Sequence, residues 1–177
     1  MPQFKRPDKQ SIIIFLLLLI TVGAVCVTVW ALFFRTEETG LLAPDHAPVI
    51  EEQAQPIPGD TGKPNDVQPG SGSVSLTYSN TVKIRLGDRS AQFLFANPGR
   101  SNQDLVIQLI IQDRVIFQSG RITPGNQVAN LELSAESAAM LMPGGYEGAF
   151  LIHFYDPVSS EKAIVTTEIP VSVTVTE

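Results

Sequence analysis

Cysteine is nearly absent: Cys26 is the only one in 177 residues, and histidine occurs twice, as His46 and His153. These two shortages exclude much. No intrachain disulfide can brace the chain, and the usual zinc sets of several Cys and His cannot be assembled. A nucleophile triad in the folded part would have to use His153, and no G-x-S-x-G elbow occurs to supply its serine. Asp113, Glu132, Glu136, Glu147 and Asp156 lack the D-x-D-x-D spacing of a calcium loop. Gly144-Gly145 and the Pro69–Gly72 stretch lack the lysine and helix start of a phosphate loop. Positive charge is short as well, with 12 Lys and Arg against 18 Asp and Glu. Without a basic stripe to displace counterions from phosphates, nucleic acid is not an expected partner. No cofactor, metal or enzymatic activity is expected; an enzyme would need a site assembled from loop acids.

What the chain has in quantity comes first in it. SIIIFLLLLITVGAVCVTVWALFF, from Ser11 to Phe34, contains no charge and no proline. As a helix it would reach about 34 Å from Ile12 onward, enough for a hydrocarbon core of about 30 Å. A cleaved secretory signal would have a shorter apolar core and a small-x-small cut site. Here the best cut, after Ala31, lies within a run that continues to Phe34, and Val25 before Cys26 argues against a lipoprotein box. The expected plan therefore opens with a basic cytoplasmic tail over residues 1–10 and one transmembrane helix over 11–35, retained as a signal-anchor. Lys5, Arg6 and Lys9 precede the run, whereas Arg35 is followed by Glu37 and Glu38. That bias places the N-terminus inside and everything after the span outside the plasma membrane. The lipid bilayer is thus one expected partner. No Gly-xxx-Gly seam in the run specifies self-association.

Residues 36–72 are rich in Pro and Gly, contain no aromatic residue, and set Lys63 against seven acids. Too little apolar surface is present to offset ordering entropy, so a flexible linker is expected there. His46 belongs to it and has no second ligand close in sequence.

From Ser73 the hydrophobic period changes to two, the strand signal. SVSLTY, TVKIRL, AQFLFAN, DLVIQLIIQ, VIFQS and QVANLEL follow one another with turn signals at Asn97-Pro98-Gly99, Gln112-Asp113 and Thr123–Asn126. SAESAAM suits one short helical turn. YEGAFLIHFY and AIVTTEIPVSVTVT then give two long strands, the second with Pro170 on its outer face, which places that strand at a sheet edge or breaks it there. Seven or eight strands over residues 73–177 predict an all-β domain, an antiparallel immunoglobulin-like or fibronectin-III-like β-sandwich outside the cytoplasm. Tyr146, after Leu141 and a Pro-Gly turn, is expected to close a corner by bonding its hydroxyl to upstream backbone.

FQSGRITPGNQV, with LEL and LMPGGYEGAFLIHFYDP after it, resembles small membrane-anchored proteins of Gram-positive anaerobic bacteria. Those proteins combine an N-terminal span, an acidic Pro-rich stalk and a sandwich with NP, SG-I-PG and L-PG-YE elements. The likeness covers roughly Asn97 to Val175 and implies an envelope location; it carries no activity or binding site.

The second face of the Tyr146 strand, Ala149, Leu151, His153 and Tyr155, is less polar than a solvent face should be. It is either covered by the domain or meets a partner. Leu151, His153, Tyr155 and Asp156, the last at the polar DPVSSEK tip, are the candidate contacts. The expected role is a non-enzymatic, membrane-tethered interaction or structural component of a cell-envelope assembly, with an envelope protein as partner. A carbohydrate or cell-wall binding module is the alternative, with only Tyr78, Tyr146 and Tyr155 as aromatic platforms.

Overall fold

The computed structural model describes residues 15, 17–25, 43–66 and 72–177. They belong to two compact units, Met1–Thr39 and Gly40–Glu177. In the first, residues 15 and 17–25 are helical, and their large apolar side chains, from Phe15 to Val25, are exposed. Among the described residues no helix is long and apolar enough to cross a membrane. The expected tail, and the expected span over 11–14, 16 and 26–35, lie outside the described residues.

The second unit is mostly β. Its elements are β1 (Gln55–Pro56), β2 (Thr77–Tyr78), β3 (Thr81–Arg85), β4 (Ser90–Asn97), β5 (Asp104–Ile111), β6 (Arg114–Gln118), β7 (Asn126–Glu132), α1 (Ala135–Ala139), β8 (Gly144–Tyr155) and β9 (Lys162–Thr176). The strands form one curled sheet in the order β1-β7-β4-β3-β9-β8-β5-β6, with β2 also on β4. Neighbours are antiparallel except β3 and β9, which run parallel from Thr81↔Ser172 to Arg85↔Thr176. The expectation of a purely antiparallel arrangement is corrected at this pair.

The sheet folds over its own apolar face. Phe93 of β4 stacks on Phe117 of β6 at 5.3 Å and reaches Phe150 of β8 at 5.5 Å, and Phe95 meets Phe150 edge-on at 5.8 Å. Strands far apart in the sheet order thus share one core. Alternation in β9 buries Ile169, Val171, Val173 and Val175 and exposes Glu168, Pro170, Ser172 and Thr174. β5 is almost wholly buried because it lies between β6 and β8 with both faces covered.

Local chemistry sets the connections. Gln112 and Asp113 both take positive φ, 51° and 60°, as a two-residue hairpin between right-twisted strands demands. Ser134 caps α1 by accepting from Ser137 N at 3.0 Å. Pro170 is accommodated by position. Ser172 N donates to Asn80 O at 2.9 Å, toward β3, so the ring of Pro170, two residues back, takes the place of an N–H on that same side. β3 pairs β9 only from Ser172 onward, and no ladder bond is lost.

Tyr146 forms the corner its position predicts. Its hydroxyl donates to Met142 O at 2.8 Å and accepts from Met142 N at 3.2 Å. Tyr146→Phe is expected to cost about 1 kcal/mol in equilibrium denaturation, through the turn alone; an unchanged midpoint would show that the corner holds without it.

Where residues 36–72 were expected to form a flexible linker, residues 43–66 run along the folded unit as a strap. Ala47 N donates to Ser160 O, Lys162 N to Asp45 O, Arg121 N to Val49 O and Glu51 N to Arg121 O, while Ile57 N reaches Gly125 O and Asn65 N reaches Arg100 O. β1 pairs β7. The compact unit begins at Gly40 rather than Ser73.

Candidate functional site

The expected contact face lies on the outside of β5, β8 and β9, opposite the side that carries Phe150 and Ile152. Its register brings Val106 across from His153, Asp104 across from Tyr155, and Gln108 across from Leu151. Sequence reasoning left open whether this face is covered or free. In the structure it is largely covered. Tyr155 and Val106 are fully buried and His153 is 2% exposed, although Tyr155 and Val106 stand apart from the main apolar core.

The strap does part of the covering. Tyr155 Oη donates to Pro44 O at 2.8 Å, Lys162 Nζ donates to Ala43 O at 3.3 Å, and Ala43 itself is buried. Further along, Glu51 accepts from Gly120 N at 2.6 Å. Gly120 is needed at this crossing, because a Cβ there would stand 2.8 Å from Glu51 Cα and 2.9 Å from Val49 O. Asp60 makes the next clamp, accepting from Gly99 N at 2.7 Å and from Gly62 N at 2.8 Å. Those two backbone bonds, with Arg100 a smaller contributor, hold its carboxyl below the usual carboxylate range.

Under this cover sits a polar row. Gln118 accepts from Gln108 Nε2 at 2.8 Å, which leaves Gln108 Oε1 facing His153 Nε2 at 3.1 Å. His153 therefore carries a proton on Nε2, and among the described residues its Nδ1 has no hydrogen-bond partner. Burial, with a smaller contribution from Lys162, lowers its pKa from 6.5 to about 4. Asp104, on the same face, lies 3.5 Å from Arg121. Burial nevertheless raises its pKa, outweighing Arg121, with Asp156 adding to the rise.

The sign of the histidine effect is fixed by which state binds protons. Between pH 6.5 and about 4 the unfolded chain protonates His153 and the folded one does not. Stability is therefore highest above that window and falls as the pH drops through it, by on the order of 3 kcal/mol. Denaturant melts in pH steps on the parent and on His153→Gln should differ by this slope. Asp104 acts in the opposite sense and is common to both proteins, so it cancels. Parallel curves would refute the assignment.

Of the four candidate contacts, Tyr155 and His153 are internal, Leu151 is half-buried and Asp156 is exposed. Asp156 shapes its own turn, accepting from Val158 N at 2.9 Å and Ser159 N at 2.8 Å. Both bonds, Ser159 first, lower its pKa. Among the three tyrosines considered as platforms, Tyr155 is buried and Tyr146 has its hydroxyl tied to backbone. Tyr78 is 42% exposed and stacks on Phe95 at 6.5 Å. Among the described residues no group of three or more His, Cys, Asp or Glu is placed to hold a metal ion.

An accessible site lies elsewhere. A groove of about 540 Å³ opens beside the first half of β9, lined by the apolar Val74, Phe154, Ala163 and Val165 together with Gly72, Gln103, Lys162 and Thr167. Ile164 and Val165 at its rim are strongly exposed. Sequence reasoning missed this groove, although one signal was present: the apolar alternation of β9 begins at Ala163, well before the strand's inner face becomes buried at Ile169. Against known proteins, no family model matches the chain and no curated protein matches it in sequence.

Proposed function

We propose that the chain is a membrane-tethered, non-enzymatic interaction component of a cell envelope, with its β unit outside the plasma membrane. The observation that carries this reading is the helix at residues 15 and 17–25, whose large apolar side chains are all exposed. Such a surface suits lipid better than water. It lies within an uncharged run flanked by Lys5, Arg6 and Lys9 on one side and acids on the other. In the β unit the buried titratable groups His153 and Asp104 are built into the packing of one covered face, while the accessible groove is mainly apolar, with Lys162 and Gln103 among its polar members. That division favours binding over chemistry. The likeness in turn residues to envelope-anchored sandwich proteins agrees with this reading, and the immunoglobulin-like description of the curled sheet belongs to the same proposal. Tethering raises local concentration, so weak contacts with neighbouring envelope proteins suffice.

Crosslinking in intact cells with a tag after Glu177, paired with protease added outside, tests it. The expected result is removal of the tag by protease and capture of one or a few recurrent envelope proteins. A tag protected from protease would overturn the topology.

A further inference from the structure

Between Lys162 and Ser172, β9 has a strand partner on one side only among the described residues. From Thr166 onward its odd-numbered backbone groups face β8 and the even-numbered ones face away, as Ser172 N does in donating to Asn80 O; beyond the register shift opposite Phe154, Lys162 N donates to Asp45 O and Ser160 O accepts from Ala47 N. The chain thus covers this edge twice, with the strap at residues 160–162 and with β3 from Ser172 onward. Between them the backbone groups of Thr166 and Glu168, and the carbonyl of Pro170, point to a side where no strand pairs among the described residues. The gap is about 20 Å long at strand rise. It borders the mainly apolar groove, because Val165 and Thr167 both flank the open backbone and line the cavity.

We propose that this gap receives an extended peptide segment of another protein, which pairs antiparallel with β9 from Thr166 to Pro170 and seats alternate apolar side chains in the groove. The inference rests on the interaction role proposed above and gives it a site and a partner chemistry. β-Strand addition of this kind draws affinity from main-chain bonds and specificity from pockets for every second side chain. Charge sets the direction. Glu168 stands near the end where an antiparallel strand would enter and Lys162 near the end where it would leave, which favours a basic residue early in the peptide and an acidic one late. A second copy of this chain is the poorer occupant. If β9 paired with its twin across the gap, β3 of one copy and the strap of the other would need the same space between the two strands. A single narrow strand avoids that clash, and the amides of Thr166 and Glu168 with the carbonyl of Pro170 remain open to it.

The probe is acetyl-Thr-Val-Lys-Val-Thr-Val-Thr-amide, labelled with a fluorophore, added to the full chain in detergent micelles. It sets lysine opposite Glu168 and valines toward the groove. Saturable anisotropy is expected, with hydrogen exchange at the Thr166 and Glu168 amides fast in the free protein and slowed at least tenfold by peptide. Thr166→Pro removes an edge donor without touching a β8 bond, as Pro170 already does, and should weaken binding at least tenfold. Val165→Asp, at an exposed groove position, should do the same by charging the groove, and serves if the proline variant fails to fold. The proposal is overturned if the free protein already protects both amides, if the peptide methylated at its lysine and central threonine nitrogens binds equally well, or if Thr166→Pro or Val165→Asp, folded, binds like the parent. In intact cells, capture of the same envelope proteins by the parent and by Val165→Asp would leave the interaction role standing and reject this edge as its site. Loss of capture in the variant alone would support both.

Discussion

A protein that begins at Ser73, where the alternating pattern starts, is expected to lose cooperative folding, whereas one that begins at Gly40 should keep it. The strap contributes at least six main-chain hydrogen bonds to the rest of the unit, together with the β1–β7 pairing and the clamps at Glu51, Asp60, Tyr155 and Lys162. Even at about 0.5 to 1 kcal/mol net for each bond, their loss totals on the order of 5 kcal/mol. That is comparable to the whole stability of a typical domain. The loss would go beyond the bonds themselves. Tyr155 Oη would lose Pro44 O as its acceptor, and part of the cover over the β8 outer face would be removed, exposing apolar surface that the sheet cannot cover by itself. Thermal melts of the two proteins decide the matter: a midpoint lower by more than about 15 °C, or no transition at all, is expected for the shorter one. Equal melting would mean that the strap rests on a unit complete without it.

The strap illustrates which physics a sequence displays and which it conceals. Strands such as Thr81–Arg85 and Lys162–Thr176 announce themselves because one face is buried and the other is wet, so the side chains alternate. Residues 43–66 are fixed chiefly through their backbone. Val49 is 82% exposed and Ile50 55% exposed, so their apolar side chains mark no buried stripe. Glu51 and Asp60 look like the charges of a solvated linker, yet each carboxylate accepts from the amide of a glycine far along the chain. Main-chain recognition leaves no period to read, only the glycines that permit close approach, Gly120 and Gly99. The parallel β3–β9 pair was hidden for another reason: alternation gives each strand its faces but not its neighbour. The covered face of β8 was half legible, since Leu151, His153 and Tyr155 were too apolar for solvent, but what lay over them could not be read without the strap.

Phe150→Ala is the single substitution expected to cost most in the core, about 3 to 5 kcal/mol. Phe150 is fully buried and is the ring that both Phe93 and Phe95 meet, so it ties β8 to β4 across the fold of the sheet. No backbone bond joins those two strands directly; between them in the sheet stand β3 and β9. The surrounding backbone has little freedom to close over the cavity, because at nearby Gly148 a Cβ would already stand 2.8 Å from Ile110 O. Tilted and edge-on ring contacts add to the area term and would be lost with it. Phe117→Ala makes the useful comparison. That ring stacks on Phe93 from β6, the last strand of the sheet, where its removal leaves a site that solvent and neighbours can fill. Urea unfolding should place Phe150→Ala clearly below Phe117→Ala. If the order is reversed, the core is closed at the β6 edge rather than at the β4–β8 contact.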